Sequence, residues 1–252
     1  MSLPLILLTN DDGIHAPGLR VLFDALSPIA EVHVFAPDRE RSAVGHGISL
    51  HHPLRVKRVA ERWHSVDGTP ADCVLLAVRK LLGDRPSMVV SGINNGANLG
   101  DDVFYSGTVA GAREGMLLGF PAIAVSDVNY RPEHFETSGI VARSVVRYVL
   151  EHGLPEETLL NVNVPDLPIE NLEGVAITRM GRRQYDDDII HRQDPRGGDY
   201  YWIGGAAQSH PITPGSDLEA IAQNKASITP IQRDATHHPA IERFYHPPIV
   251  IA

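Results

Sequence analysis

Apolar positions in this chain alternate between short unbroken runs and longer stretches of helical periodicity. Residues 3–8 form the first run. A Leu/Ile-rich run of this length, closed by a turn signal, reads as a strand buried on both faces of a parallel sheet. Pro17 then suits a first helical turn, and Leu19, Leu22, Phe23 and Leu26 give that helix an apolar stripe. Residues 31–36 read as a second strand, so the start of the chain is a β-α-β unit with a right-handed crossover. Thr69 caps a further helix, with Pro70 in its first position and Asp72 at the positive end of its dipole. Val74, Leu75, Val78, Leu81 and Leu82 are expected to carry its buried face. Strands are predicted at 87–91, 120–126, 159–164 and 175–179, with a helix opening at Ser106-Gly107-Thr108 and another over 133–152. Gly111 and Gly115 let the former helix pack close to the sheet. Residues 51–65 are the least readable stretch and are assigned short extra strands.

The pattern changes after Met180. A polar, charged root over 181–188 leads to the tight turn Asp194-Pro195-Arg196-Gly197 and then to Tyr200, Tyr201 and Trp202. This reads as a β-hairpin whose aromatic residues need a partner surface. Residues 213–217 form a turn and 221–230 return to strand-like sequence. The chain is therefore divided into an α/β core, 1–180, and a C-terminal arm and tail, 181–252. No internal repeat is visible.

Composition narrows the picture. A length of 252 residues suits one large α/β domain with an appendage. The net charge of −9 argues against a docking surface for long nucleic acid but leaves room for small anionic ligands at a local site. Cys73 is the only cysteine and has no cationic neighbour in sequence, so it reads as a small core residue. No disulfide framework, membrane-length run or signal-peptide pattern is present, and a cytoplasmic setting with no membrane partner is expected.

Chemistry gathers at the strand ends. Thr9-Asn10-Asp11-Asp12-Gly13 follows the first strand, at the carboxyl edge where open α/β sheets bind ligands. Two carboxylates with other oxygens suit a hard cation such as Mg²⁺ or Mn²⁺, although Asn-Asp-Asp-Gly is also good turn chemistry by itself. Ser42 follows the second strand on the same edge. A long Gly- and Asn-rich loop, 92–102, starts at a third. At Ser106-Gly107-Thr108 a helix N-terminus and two hydroxyls offer donors to an anion, while Ser106 is equally a plain cap. The histidine pairs His51-His52 and His237-His238 lack zinc-site spacing and read as solvated.

Four segments together carry a family resemblance: Asn10-Asp11-Asp12-Gly13 with Ala16-Pro17-Gly18; Pro37-Asp38-Arg39 with Arg41-Ser42; Gly68-Thr69-Pro70 with Asp72-Cys73-Val74; and Ser91-Gly92-Ile93-Asn94 continuing through Asn98-Leu99-Gly100 to Tyr105-Ser106-Gly107-Thr108-Val109. Asn161-Val162-Asn163-Val164-Pro165, Asp194-Pro195-Arg196-Gly197 and Ser227-Ile228-Thr229-Pro230 agree with it. The chain resembles the SurE (survival protein E) family of metal-dependent nucleotidases over nearly its whole length. The resemblance implies a Rossmann-like, mostly parallel sheet with helices on both faces. It implies a divalent metal held by Asp11, Asp12, Ser42 and Asn94. It implies hydrolysis of nucleoside 5′- and 3′-monophosphates, with short polyphosphate as a further substrate. It also implies a homodimer or homotetramer joined by an exchanged C-terminal hairpin, with Asp234 and His238 near the site from the swapped part.

The expected reaction is attack of a metal-activated water on a phosphomonoester. Asn98, Ser106, Gly107 and Thr108 are expected to hold the phosphate oxygens, and either Asp11 or Asp12 to take the proton. A dinucleotide-dependent oxidoreductase would need G-x-G-x-x-G where Asp11-Asp12-Gly13 stands, and a P-loop enzyme would need a Gly-Lys-Ser/Thr that the chain lacks. A non-catalytic nucleotide-binding stress sensor on the same fold is the remaining alternative.

Overall fold

The structure, a computed structural model, describes residues 3–183, 188–204 and 212–245. Part of the predicted polar root of the arm, 184–187, and the end of the tail, 246–252, lie outside the described residues. In chain order the elements are β1 (Leu5–Thr9), α1 (Pro17–Leu26), β2 (Glu31–Pro37), β3 (Val56–Ala60), β4 (Trp63–Val66), α2 (Pro70–Leu76), β5 (Met88–Asn95), α3 (Gly107–Leu117), β6 (Ala122–Asp127), α4 (Phe135–His152), β7 (Thr158–Val164), β8 (Val175–Ile177), β9 (Asp188–Gln193), β10 (Asp199–Gly204), α5 (Asp217–Ala222), β11 (Ala226–Gln232) and α6 (His238–Ile241).

One nine-stranded sheet runs β3-β4-β2-β1-β5-β6-β7-β11-β8. From β4 to β7 all neighbours are parallel. β3 and β11 are antiparallel to β4 and β7, and β8 follows β11 in parallel at the far edge. Helices cover both faces. Ile6 and Leu8 of β1 face Leu19, Leu22 and Leu26 of α1 and the valines of α4, while Leu7 faces Val74 of α2 on the other side. This alternation explains why the β1 sequence is apolar throughout. Each fully buried leucine contributes on the order of 1.5–3 kcal/mol. α3 lies on the α2 side and packs Val109, Ala112 and Met116 against β6 and β7. Its glycines permit this approach. A Cβ on Gly111 would come within 2.7 Å of Thr9 Cγ2, and one on Gly115 within 2.6 Å of Val89 Cβ.

Several boundaries differ from the sequence expectation. The unreadable 51–65 stretch supplies the antiparallel edge pair β3 and β4. Thr69 caps α2 as expected, and Asp72 completes a reciprocal capping box rather than only favouring the dipole. The helical face drawn through Leu81 fails because a π-helical turn at Ala77–Leu81 shifts the register, leaving Ala77 buried and Leu81 43% exposed. β5 runs past Ser91 to Asn95 with a register shift against β6. Residues 221–222 close the helix α5, capped by Ser216, so the strand starts only at Ala226. β11 inserts between β7 and β8, which returns residues beyond 180 to the central sheet. The hairpin β9–β10 forms in the expected place, and its apolar side chains stand open, with Trp202 64% and Ile203 93% exposed.

Candidate functional site

β1 pairs with β2 on one side and β5 on the other, so the chain reverses its direction of strand addition at β1. A crevice at such a switch point is where ligands enter open α/β sheets. Asp11 and Asp12 stand just past the end of β1, in that crevice. Ser42 comes from the loop after β2, Asn94 from the end of β5, and Ser106 from the start of α3. A cleft of about 210 Å³ is lined by Asp11, Ser42, Asn94, Asn98 and Ser106, together with Asp102 and the aromatic rings Tyr105 and Tyr130. Asp12, Gly107 and Thr108 do not line it.

The N-terminus of α3 is aimed at Asp11. The Thr108 hydroxyl donates a short hydrogen bond to Asp11 Oδ1. Gly107 makes room for the carboxylate, since a Cβ there would lie 2.9 Å from Asp11 Oδ2. Thr108 is fully buried, so its hydroxyl serves the carboxylate and not the open cleft. Asp12 is fixed through Oδ2, which accepts from the Asn95 amide at 3.1 Å.

Burial raises the pKa of Asp11 above the ordinary carboxylate range, and hydrogen bonding by the Thr108 hydroxyl and backbone only partly opposes it. Asp12 is pushed up to about 7 by burial first and by the neighbouring Asp11 charge second. Among the described residues neither carboxylate has an ion-pair partner: Arg41, whose backbone N–H donates to the Asp11 carbonyl, gives its guanidinium to Asp67 O. A buried carboxylate beside a half-buried one is costly without an opposite charge. Neutral oxygens stand beside them. Ser42 Oγ donates to Glu40 Oε1 at 2.8 Å and keeps its lone pairs, and Asn94 Nδ2 donates to Gly96 O at 2.8 Å, leaving the amide oxygen as the free atom. No group of three or more His, Cys, Asp or Glu is placed to hold a metal among the described residues. The donor set is therefore two carboxylates completed by neutral oxygen. It fits a hard divalent ion and does not fit zinc in a nitrogen–sulfur site.

Asn98 is held from several sides. Its amide donates to Asn163 Oδ1 at 2.8 Å, its Nδ2 to Ser126 Oγ at 2.7 Å, and its carbonyl accepts from Asn161 and Asn163. The alternating Asn161 and Asn163 of β7 form this cradle for the Asn98 loop. Ser106 Oγ accepts from the Val109 amide at 3.0 Å, so it is a cap whose own proton stays free for a ligand. Sequence reading missed Asp217, which lies far from the cleft in the chain. Its carboxylate accepts from the amides of Gly100, Gly181 and Leu218, tying the Asn98 loop to the root of the arm. Tyr105, Tyr130 and Asp102 were missed as well. Asp234 and His238 hydrogen-bond to each other on the exposed stretch after β11 and do not line the cleft of their own chain.

Fold and site together define a doubly wound α/β protein that gathers carboxylates, amides and hydroxyls at the switch point of its sheet. A family model described as Survival protein SurE matches residues 6–187. A 5′-nucleotidase SurE of Citrifermentans bemidjiense is 52% identical over 94% of this chain and 96% of its own. One of Nitrosococcus oceani is 51% identical over 94% of this chain and 95% of its own. The crystal structure of the SurE protein from Aquifex aeolicus superposes with a TM-score of 0.87 at 41% identity, covering 97% of this chain and all of that one. The chain belongs to the SurE family.

Proposed function

We propose that this protein is a nucleotidase that hydrolyses nucleoside 5′-monophosphates, and by extension 3′-monophosphates and short polyphosphate, with the help of a divalent cation. Its relatives at about half identity bear the name 5′-nucleotidase, which supports the reaction class. The observation that carries the cation is the adjacent pair of buried Asp11 and half-buried Asp12, both shifted toward the neutral form and without a positive partner among the described residues. Asp11, Asp12, Ser42 and Asn94 would hold Mg²⁺ or Mn²⁺. When bound, such an ion polarises a phosphoryl oxygen and acidifies a water.

The chain's own residues do the positioning. Thr108 and the α3 N-terminus orient Asp11, and the Asn95 amide orients Asp12. The free Ser106 proton and the tethered Asn98 side chain donate to the remaining phosphate oxygens, where negative charge grows in the transition state. Either Asp11 or Asp12 is placed to accept the proton from water. The hairpin β9–β10, whose apolar side chains stand open, is read as the contact that assembles a homodimer or homotetramer. Deleting 188–204 is expected to lower the mass seen by light scattering while the core stays folded.

Phosphate release from AMP tests the function. Turnover abolished by EDTA and restored by excess Mn²⁺ or Mg²⁺ is expected. Full turnover in EDTA would exclude the cation, and nucleotide binding without turnover would make the protein a sensor.

A further inference from the structure

The cleft has a rim as well as a floor, and the floor accounts only for phosphate. Tyr105 and Tyr130 line the same cleft as Asp11 and Ser106, and both rings are open, at 67% and 72% exposure. What sets these two apart from the molecule's other open aromatics is that they share one cleft with the polar floor.

Their backbones are held unusually well for exposed residues. Tyr105 directly precedes the cap Ser106, and its carbonyl accepts from Gly45 at 3.0 Å. Tyr130 sits in the loop between β6 and α4. Asp166 pins that loop by accepting from Asn129 Nδ2 and from the amides of Glu133 and His134, and Asp127 accepts from the Asn129 amide. The Tyr130 ring lies flush on the backbone at Gly96, where a Cβ would come within 2.7 Å of Tyr130 Cε1. Neither phenol has a hydrogen-bond partner among the described residues, so neither ring is tied down by its hydroxyl. A rigid loop presenting an exposed ring beside a phosphate site is a preformed stacking platform, and stacking tolerates every base because each has a π-face.

We infer that Tyr105 and Tyr130 form the base subsite of this cleft, holding the nucleobase by stacking while Ser106 and Asn98 hold the phosphate. The inference rests on the nucleotidase reading and deepens it. It makes recognition of the base aromatic and non-selective, with purines held more firmly than pyrimidines because their larger faces overlap more of each ring.

The test compares substrates with and without a base. KM and kcat are measured for AMP, UMP and ribose 5-phosphate in the full-length protein and in Tyr105→Ala, Tyr105→Phe, Tyr130→Ala and Tyr130→Phe. Each alanine variant is expected to raise KM for AMP by roughly 5- to 100-fold, and for UMP by less. KM for ribose 5-phosphate and kcat should stay within about twofold of the parent, and both phenylalanine variants should match the parent. Equal losses on AMP and ribose 5-phosphate, or no loss on AMP in an otherwise active alanine variant, would overturn the base subsite while leaving the nucleotidase intact. A parent protein that hydrolyses ribose 5-phosphate but no nucleotide would overturn both.

Discussion

Two buried carboxylate regions of this molecule differ in how their charge is met. Asp217, at the start of α5, is fully buried and accepts from three backbone amides, those of Gly100, Gly181 and Leu218. Asp11 and Asp12, at the end of β1, share a few hydrogen bonds but no cation among the described residues, and both are shifted toward the neutral form. The first region is electrostatically complete and holds two distant chain segments together. The second has no cationic side chain paired with it among the described residues. A buried acid satisfied by the backbone reads as structure; neighbouring acids shifted toward the neutral form with no cationic partner are the pattern on which the cation proposal rests.

The strongest way to break this contrast is Asp11→Asn. An amide is a far poorer ligand for a hard cation, so kcat/KM on AMP should fall on the order of 10²- to 10³-fold with the melting temperature nearly unchanged. Asp217→Ala should behave the opposite way. It strands three amide donors and should cost about 3 kcal/mol, a fall in Tm of roughly 6–12 °C by calorimetry, with residual turnover in the folded fraction. Thr108→Val keeps the volume and removes the donor to Asp11. A loss of about 1–3 kcal/mol in transition-state stabilisation is expected from AMP kinetics, with no change if Thr108 merely fills space.

Asp127 gives a finer test, because it is a buried acid intermediate between the two kinds. It accepts from the Asn129 amide and the Ser138 hydroxyl, yet burial still pushes it up to about 6. The folded state thus keeps a proton that the unfolded chain releases near pH 4. The associated stability is fully present below about pH 4 and is lost as pH rises through 6. Asp127→Asn should therefore gain on the parent by about 1–2 kcal/mol between pH 4 and 7 in urea melts. A pH-independent difference would mean that Asp127 is ionised throughout.

The first of these regions was invisible in the sequence and the second was not. Asp11-Asp12 follows an apolar run that reads as a central strand, so local pattern alone places it at the ligand edge. Ser42, Asn94 and Ser106 fall on that edge by the same reasoning, because parallel strands bring all their carboxyl ends together. Asp217 gave no such signal. Its partners Gly100 and Gly181 lie 117 and 36 residues away, and a Ser-Asp helix start looks ordinary. Tyr130 was hidden for the same reason, since its platform depends on Gly96 and Asp166 arriving from other loops. Helix α5 and the π-helical turn after α2 were misread because the first is short and the second breaks the period on which a helical face is drawn. Thr108 shows a subtler limit. Its place at the α3 N-terminus was legible, but its commitment to Asp11 required the strand and helix to be set side by side.

The most direct test of the proposed cation site is calorimetric titration of the substrate-free protein with Mn²⁺. One saturable site per chain is predicted for the parent and for Asp217→Asn. Asp11→Asn and Asp12→Asn should each lose that binding while remaining folded. Equal Mn²⁺ binding in the parent and both β1 variants, or none in the parent, would contradict the assignment of Asp11 and Asp12 as a cation site.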